Sequence, residues 1–233
     1  MLGALNSGGT SRNHIEQMAL NMSLLVRAVL PHADLGGHPV DSPKFLTRMR
    51  AAASIAWENL GEDLFEAASE WESDTARGWA AFAVPLTGAS LDAQLSLTRP
   101  FAADGHFAVR EWAWLGLRPS VTKNLDLSVK RLGDWANSRD PYVRRFAVEV
   151  TRPRGVWSTH IPALKANPGA GLPILRNVVL DTDRYVQDSV GNWLNDARKS
   201  QPLWVSRQLA SWQSEYGADR LAYVTRRALR EAA

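Results

Sequence analysis

DPYVRRFA at residues 140–147 has two weaker counterparts in the chain, DGHFAVRE at 104–111 and DRYVQDSV at 183–190. Each segment opens with an acid that is well placed to cap a helix, and an aromatic residue follows closely. The aromatic residues Phe107, Tyr142 and Tyr185 are 35 and 43 residues apart. Such spacing is typical of a two-helix repeat of roughly 40 residues.

The rest of the chain is also patterned as helices. Apolar residues recur at steps of three and four, and no stretch alternates as a strand would. Besides a first helix over 15–29, helices are predicted at 43–60, 62–71, 74–84, 90–98, 105–117, 121–137, 141–150, 158–166, 171–179, 183–199, 202–214 and 218–231. The sequence therefore predicts an all-α fold, an α-solenoid of HEAT-like helical repeats with a concave basic groove. The alternative is an irregular helical bundle.

The charges are divided unevenly along the chain. Residues 1–10 lack periodicity and are predicted to form a loose tail. Residues 11–233 are predicted to form a single repeat domain. Residues 1–103 carry 7 basic and 11 acidic side chains, whereas 104–233 carry 20 basic and 13 acidic ones. The predicted domain thus has acidic N-terminal repeats over 11–103 and basic repeats over 104–233. We expect the functional site in the basic part, where arginine suits the recognition of phosphate.

Composition excludes several kinds of site. The chain of 233 residues contains no cysteine, which removes disulfides, thiolate zinc sites and cysteine nucleophiles. Its five histidines are not at metal-ligand spacing, so a histidine-rich metal site is not expected. No apolar run approaches the ~20 residues of a membrane helix. The N-terminus is polar and lacks a signal-peptide pattern, so we expect a cytoplasmic location.

Three carboxylates on the repeat helices are candidate catalytic groups: Glu111, Glu149 and Asp196. If equivalent helices line one face, these acids converge among the basic residues Arg110, Arg144, Arg145, Arg152 and Arg154. Carboxylates in a basic groove can stabilise a developing positive charge or position water, while the arginines hold phosphates. The alternative is that each acid forms a structural ion pair with a neighbouring arginine.

Two long motifs resemble a known family. RRFAVEVTRPRGVW at 144–157 resembles the arginine-rich, TRPR-containing motif of the AlkC group of DNA alkylation repair proteins. RYVQDSVGNWLND at 184–196 is similar to that group's motif Tyr-Val-x-x-Ser-Val-Ala-Asn-x-Leu-Asn-Asp. The resemblance covers residues 104 to about 230 well. This sequence departs from the pattern at His106, where the group has an acid, and at Trp193, where the group tends to have histidine.

The resemblance implies a HEAT-like-repeat DNA glycosylase of the AlkC/AlkD superfamily. Such enzymes remove N3- or N7-alkylated bases without metal or cofactor. The resemblance places Glu149 and Asp196 on the family's acidic active-site positions and Trp157 on an aromatic position that lines the site. Glu111 matches the catalytic aspartate of the AlkD branch, and Phe107 stands where that branch has a tryptophan.

From this we expect a monofunctional glycosylase that acts as a monomer on duplex DNA containing alkylated bases. Trp157, Trp193 and Trp112 are predicted to pack against the cationic base or sugar by cation–π contact. A lyase step is not expected, although Lys199 is close enough to Asp196 in sequence to leave it open. Two other classes remain: a non-catalytic protein that binds damaged or branched DNA, and a scaffold for protein partners.

Overall fold

The computed structural model describes residues 2–231, and within them it contains only helices, turns and loops. The α-helices are α1 Leu2–Asn6, α2 His14–Ala19, α3 Met22–Val29, α4 Phe45–Leu60, α5 Leu64–Glu70, α6 Asp74–Ala83, α7 Leu91–Ala102, α8 Phe107–Lys123, α9 Leu125–Trp135, α10 Pro141–Val150, α11 Pro162–Ala166, α12 Leu172–Val178, α13 Arg184–Arg198, α14 Pro202–Tyr216 and α15 Ala218–Leu229. Short 3-10 helices lie at Gly61–Asp63, Val84–Thr87 and Pro168–Gly171. The predicted all-α class is confirmed.

The first predicted helix is divided in two. Periodicity predicts one helix over 15–29, but the helical backbone is interrupted between α2 and α3. The side chain of Asn21 accepts a hydrogen bond from the backbone N–H of Leu24 at 3.0 Å, and this caps a new helix. The apolar stripe continues across the break, so periodicity alone does not reveal it.

The N-terminal segment also differs from the predicted loose tail. Residues 2–6 form α1, and Leu5 is 3% exposed. Thr10 donates its hydroxyl to the carbonyl of Glu72 at 2.8 Å, and Ser11 donates its backbone N–H to the buried carboxylate of Asp74 at 2.7 Å. A segment without helical periodicity is therefore fixed by distant polar contacts.

Packing divides the chain into two units, one ending at Leu117 and the other beginning at Arg118. In the first unit α4 packs on α6, and Trp112 is 1% exposed in its core. Gly78 makes room for that indole, since a Cβ there would lie 2.5 Å from Trp112 Cδ1. In the second unit α13 packs on α10 and α15.

The sequence repeat has a counterpart in backbone hydrogen bonding. Three arginines, each near the start of a helix, donate Nη1 to the carbonyls six and five residues earlier: Arg77 to Trp71 and Glu72, Arg110 to Asp104 and Gly105, and Arg144 to Ser138 and Arg139. Gln187 donates in the same way to the carbonyl six residues earlier, that of Asp181. These four positions are 33, 34 and 43 residues apart. The repeat therefore begins earlier than the sequence pattern indicates, in α6.

Ion pairs join successive repeats within each unit. The guanidinium of Arg77 contacts Asp104 through Nε at 2.9 Å, and that of Arg144 contacts Asp181 through Nε at 2.6 Å. We call these two ion pairs between successive repeats the repeat ladder. Asp104 belongs to it and precedes the start of α8 by three residues, whereas Asp140 directly caps α10. The prediction that Asp104 caps a helix is therefore wrong. Phe107 lies three residues before Arg110, whereas Tyr142 and Tyr185 lie two residues before Arg144 and Gln187, so the sequence alignment of the repeats is one position off at Phe107.

Candidate functional site

A loop over residues 151–161 follows α10 and is fastened by a buried arginine. Arg118 is 3% exposed, and its guanidinium donates to the carbonyls of Val150 at 2.9 Å, Arg152 at 2.6 Å and Thr159 at 3.1 Å. Burial, together with the charge of Arg152, lowers the pKa of Arg118 to about 10. The predicted helix over 158–166 begins only at residue 162, because the preceding residues belong to this loop.

Two of the predicted acids meet in the second unit. Arg152 lies between them, with Nη1 3.2 Å from Glu149 Oε2 and Nε 2.9 Å from Asp196 Oδ2. The side chains of both acids are at most 6% exposed. Glu149 and Asp196 therefore come together around one arginine. The Arg152–Asp196 contact joins residues that are 44 positions apart in the sequence.

Glu149 is held by cations and a hydroxyl. Arg145 Nη2 lies 3.8 Å from Glu149 Oε1, and Ser189 forms a hydrogen bond to the carboxylate. Burial by itself raises the pKa of Glu149, but the charges of Arg145 and Arg152 and these hydrogen bonds outweigh it. The pKa lies below its ordinary value of 4.5. Glu149 is therefore ionised at neutral pH and has both oxygens engaged.

Asp196 differs from Glu149 in the freedom of one oxygen. Its Oδ2 accepts from Arg152 and also from the backbone N–H of Gly155 at 3.2 Å. Its Oδ1 lies 3.6 Å from the ammonium of Lys199, whose side chain is 48% exposed. The Asp196 carboxylate thus ties the loop to α13 through Oδ2, while Oδ1 lies beside the half-exposed side chain of Lys199.

The tip of the loop presents an aromatic side chain. Trp157 is 50% exposed and has φ of 57°, the one positive φ outside glycine among residues 2–231. Gly155, at φ of 62°, cannot carry a Cβ without approaching Ser158 Oγ to 2.3 Å. A left-handed conformation is unfavourable for tryptophan, so the fastened loop base imposes it. The result is a half-exposed indole two residues after Gly155, whose backbone N–H contacts Asp196.

The other two tryptophans predicted to contact the base or sugar, Trp193 and Trp112, are buried. Trp193 is fully buried and donates Nε1 to the carbonyl of Thr151 at 3.0 Å. Gly171 closes on its ring, since a Cβ there would lie 2.5 Å from Trp193 Cζ2. Trp112 lies in the core of the first unit. In this conformation both indoles pack the protein interior, and their contact with a base stays a prediction.

The remaining candidates belong to the first unit and to the repeat ladder. Glu111 accepts a hydrogen bond from Trp114 Nε1 at 2.8 Å. Phe107 packs edge-on against His14, with ring centroids 5.1 Å apart. Arg110 donates to the carbonyls that precede its helix, as described above. Their predicted convergence with Glu149 and Asp196 stays a prediction.

The other predicted arginines of the second unit are held by protein contacts. Arg144 is committed to Asp181 and the turn before α10, while Arg154 donates to Ser200 Oγ at 2.9 Å and to the Asp196 carbonyl at 3.4 Å. Arg145 lies over the ring of Tyr185, 4.5 Å from its centroid. Arg145 and Arg154 therefore contact residues of the acid cluster or its neighbours, whereas Arg144 belongs to the contacts between repeats.

Two residues that organise the cluster were missed by the sequence analysis, Arg118 and Ser189. A signal for Arg118 existed, because it is a lone cation in the apolar run LGLRPSV at 115–121. When buried, such a guanidinium must donate hydrogen bonds to nearby acceptors. Ser189 offers no comparable signal.

No metal-binding group of three or more histidine or acidic side chains occurs in the part of the chain that the structure describes. Within the same residues, none of the helices is long and apolar enough to cross a membrane. The cluster offers carboxylates, of which Glu149 is ionised at neutral pH, and several guanidinium groups, and the loop at 151–161 carries a half-exposed indole. Carboxylates and indoles can bind cations, and guanidinium groups can bind anions.

Comparisons with known proteins agree with the fold. Over 98% of its length the chain matches 64% of Pseudomonas fluorescens alkylpurine DNA glycosylase AlkC, solved bound to DNA containing an abasic site analog, with a TM-score of 0.71 and 22% identity. It also matches AlkD2 from Streptococcus mutans over 91% of this chain and 100% of that one, with a TM-score of 0.65 and 21% identity. The HEAT-like repeat fold is confirmed.

Sequence comparison adds a relative and a family. The chain is 36% identical over 96 residues to the uncharacterized protein YhaZ of Bacillus subtilis, which is 41% of this chain and 27% of that protein. The chain thus spans only part of the length of this relative and of AlkC. Residues 108–233 match the model of the DNA alkylation repair enzyme family, and this match includes every motif quoted above for the resemblance. The chain belongs to the DNA alkylation repair enzyme family.

Proposed function

We propose that this chain is a monofunctional DNA glycosylase that excises N3- or N7-alkylated bases from duplex DNA. The observation that carries the proposal is the meeting of Glu149 and Asp196 around Arg152, beside a fastened loop with an exposed Trp157. Membership of a DNA alkylation repair family supports it. We propose further that the chain acts as a cytoplasmic monomer.

The substrate supplies the positive charge that the chemistry needs. A base alkylated at N3 or N7 is cationic, so it leaves with the electron pair of the C1′–N bond. The sugar then acquires oxocarbenium character, which an adjacent carboxylate stabilises. Water adds its oxygen to C1′ and loses a proton to the carboxylate or to solvent, which completes the hydrolysis without metal or cofactor.

Asp196 is better suited than Glu149 to face the sugar. Both oxygens of Glu149 are engaged by cations and Ser189, so this acid mainly holds Arg152 in place. Asp196 keeps Oδ1 on the side of the exposed Lys199. Trp157 is proposed to stack on the cationic base, and Arg154 to contact a flanking phosphate. Glu111, in the first unit, is the second candidate for the same stabilising role.

The test is release of free base from methylated duplex DNA, identified by mass spectrometry. Asp196→Asn and Glu111→Gln should each be assayed at saturating protein. We expect one or both to lower release of 3-methyladenine or 7-methylguanine by about tenfold or more while DNA affinity is retained. Asp181→Asn is the matched control, because it also removes a carboxylate paired with an arginine but lies in the repeat ladder. Unchanged excision in both test variants would overturn the proposal.

Trapping with borohydride separates hydrolysis from a lyase reaction. A lyase would use an amine to form an imine with the C1′ aldehyde of the abasic sugar, and Lys199 is the amine beside Asp196. We expect no borohydride-stable complex with abasic DNA above the level of a Lys199→Gln variant. An adduct lost in that variant would assign a bifunctional enzyme instead.

A non-catalytic DNA-binding role is the second candidate, and the complete ion pairing of Glu149 favours it. Such a protein binds the same DNA without releasing any base. Under both DNA-binding roles the double variant Arg152→Glu/Arg154→Glu should lose DNA affinity, which also falls steeply with salt in the parent protein. A scaffold for protein partners predicts neither effect.

A further inference from the structure

The end of α15 is clamped onto α13 next to the candidate site. Asn195, adjacent to Asp196 and 7% exposed, donates Nδ2 to the carbonyls of Ala228 at 2.9 Å and Arg230 at 2.8 Å. Arg198 donates Nη2 to the same Arg230 carbonyl at 2.9 Å. Three hydrogen bonds therefore fix the backbone from which the Arg230 side chain projects.

The guanidinium of Arg230 is fixed as well. Its Nη2 donates to Asn192 Oδ1 at 2.7 Å. Asn192 precedes Asp196 by four residues on α13, so the two side chains share one face of the helix about one turn apart. Arg230 thus lies over the face of α13 that carries Asp196.

Arg230 forms no ion pair within residues 2–231. No carboxylate there lies within ion-pair distance of it, whereas Arg227 in α15 contacts Asp188 at 3.2 Å. Partial burial and the like charges of Arg227 and Arg152 lower the pKa of Arg230, and the carboxylates of Asp196 and Asp188 only partly oppose this. An anion bound directly to the guanidinium is therefore favourable.

The end of a helix attracts cations, but this does not account for the contact with Asn192. Arg230 stands at the C-terminal end of α15, where a positive charge interacts favourably with the helix dipole. Its Nη2, however, donates to a residue in the middle of α13 rather than to the last carbonyls of α15. Of the five N–H donors of the guanidinium, this contact uses one. The others can form a bidentate contact with an anion.

We propose that Arg230 binds a backbone phosphate of DNA next to the nucleotide on which Asp196 acts. The inference rests on the proposed function, because that function brings DNA to Asp196. The phosphate accepts from the N–H donors of Arg230 that the contact with Asn192 leaves unused, and Asn192 holds the guanidinium in place for it. Arg230 is then a DNA-binding residue that sets the register of the strand relative to the carboxylate.

The first experiment measures affinity for a duplex with a tetrahydrofuran abasic analogue. Arg230→Gln should raise Kd about tenfold and reduce the slope of log K against log salt by about one contact. Arg220→Gln is the matched control, since it removes an equal charge from an exposed position of α15. It should change Kd less than about threefold and leave the slope nearly unchanged. Equal effects in the two variants would overturn the proposal.

The second experiment locates the phosphate. Single linkages around the abasic analogue are replaced by neutral methylphosphonate, and Kd is measured for the parent protein and both variants. At one linkage the parent and Arg220→Gln should lose affinity, while Arg230→Gln should lose almost nothing further. Additive losses at every linkage would contradict the contact, because coupling at one linkage is what a direct contact requires.

These outcomes are separable from those of the excision assay. The analogue has no base to release, so the coupling between Arg230 and one linkage is measured whether or not the protein is a glycosylase. Conversely, excision that depends on Asp196 can be present when Arg230→Gln and Arg220→Gln behave alike. Thermal unfolding of both variants should match the parent protein, which excludes misfolding as the cause of a change in Kd.

Discussion

Replacing Arg118 by methionine tests whether one buried guanidinium holds the loop at 151–161. The substitution keeps an unbranched side chain in place and removes the three donors to Val150, Arg152 and Thr159. Hydrogen bonds from a charged donor are each worth about 1.5–3 kcal/mol. Their loss is partly offset, because the buried charge is itself unfavourable.

The offset can be estimated from the pKa. Burial is the main cause that lowers the pKa of Arg118 from 12.5 to about 10, which corresponds to roughly 3 kcal/mol. The three contacts together contribute roughly 5–9 kcal/mol. Arg118→Met should therefore destabilise the fastened loop by about 2–6 kcal/mol.

Hydrogen exchange read by mass spectrometry is the direct assay, because it reports local opening. A loss near 3 kcal/mol should speed exchange of the loop amides by about 100-fold. Arg144→Met is the matched control: it removes a guanidinium that also donates to two carbonyls, but in the turn before α10. Exchange in residues 151–161 that is the same in Arg118→Met as in the parent protein would refute the assignment.

Three further predictions concern the acids and the loop tip. Arg145 and Arg152 keep the pKa of Glu149 below 4.5 despite burial. The stabilising contribution of Glu149 is therefore present above pH 4.5 and is lost as pH falls through the pKa of the folded protein. In urea unfolding, the free energy of unfolding of Glu149→Gln should fall less steeply at acidic pH than that of the parent protein. Trp157→Asn should relieve the left-handed strain and raise stability by about 0.5–1 kcal/mol while weakening DNA binding, a pairing that thermal melts and Kd together would reveal. Asp74→Ala removes the carboxylate that accepts from Ser11 and Gln17; it should cost about 3 kcal/mol and expose the N-terminal segment to limited proteolysis, whereas an unchanged digest would contradict this role.

Local signals in the sequence were sufficient for two helices of the second unit. The predicted helix over 141–150 coincides with α10, because Asp140 caps it and proline occupies its first position. The helix predicted over 183–199 differs from α13 by one residue at each end. Both are amphipathic, so cap and periodicity give the same answer.

Distant contacts explain where the sequence was insufficient. The loop at 151–161 contains residues that continue a helical pattern, but Arg118, more than thirty residues earlier, binds its carbonyls. The N-terminal segment has no periodicity, but Asp74 fixes it from 63 residues away. No local window contains both partners of such contacts, so periodicity cannot predict them.

The candidate site illustrates the same division. Glu149, Arg152 and Asp196 lie in the two motifs at 144–157 and 184–196, and the structure brings them together. Trp112 and Trp193 are predicted to pack against the base or sugar, but their rings fill space that Gly78 and Gly171 leave open. A glycine facing a large indole across two helices is a feature of packing that the sequence does not display.

Ion pairing and catalysis are compatible at this cluster. Arg152 donates its Nε to Asp196 Oδ2 at 2.9 Å, so the ion pair fixes the orientation of the carboxylate. The same arginine offsets part of the negative field, and Lys199 offsets more. Under the proposed function, DNA changes this balance, because a phosphate attracts the exposed Lys199 away from Asp196 Oδ1 and Arg230 binds another phosphate. Asp196 Oδ1 then faces the positive charge that develops on the sugar, so the carboxylate exerts its full electrostatic effect only on DNA.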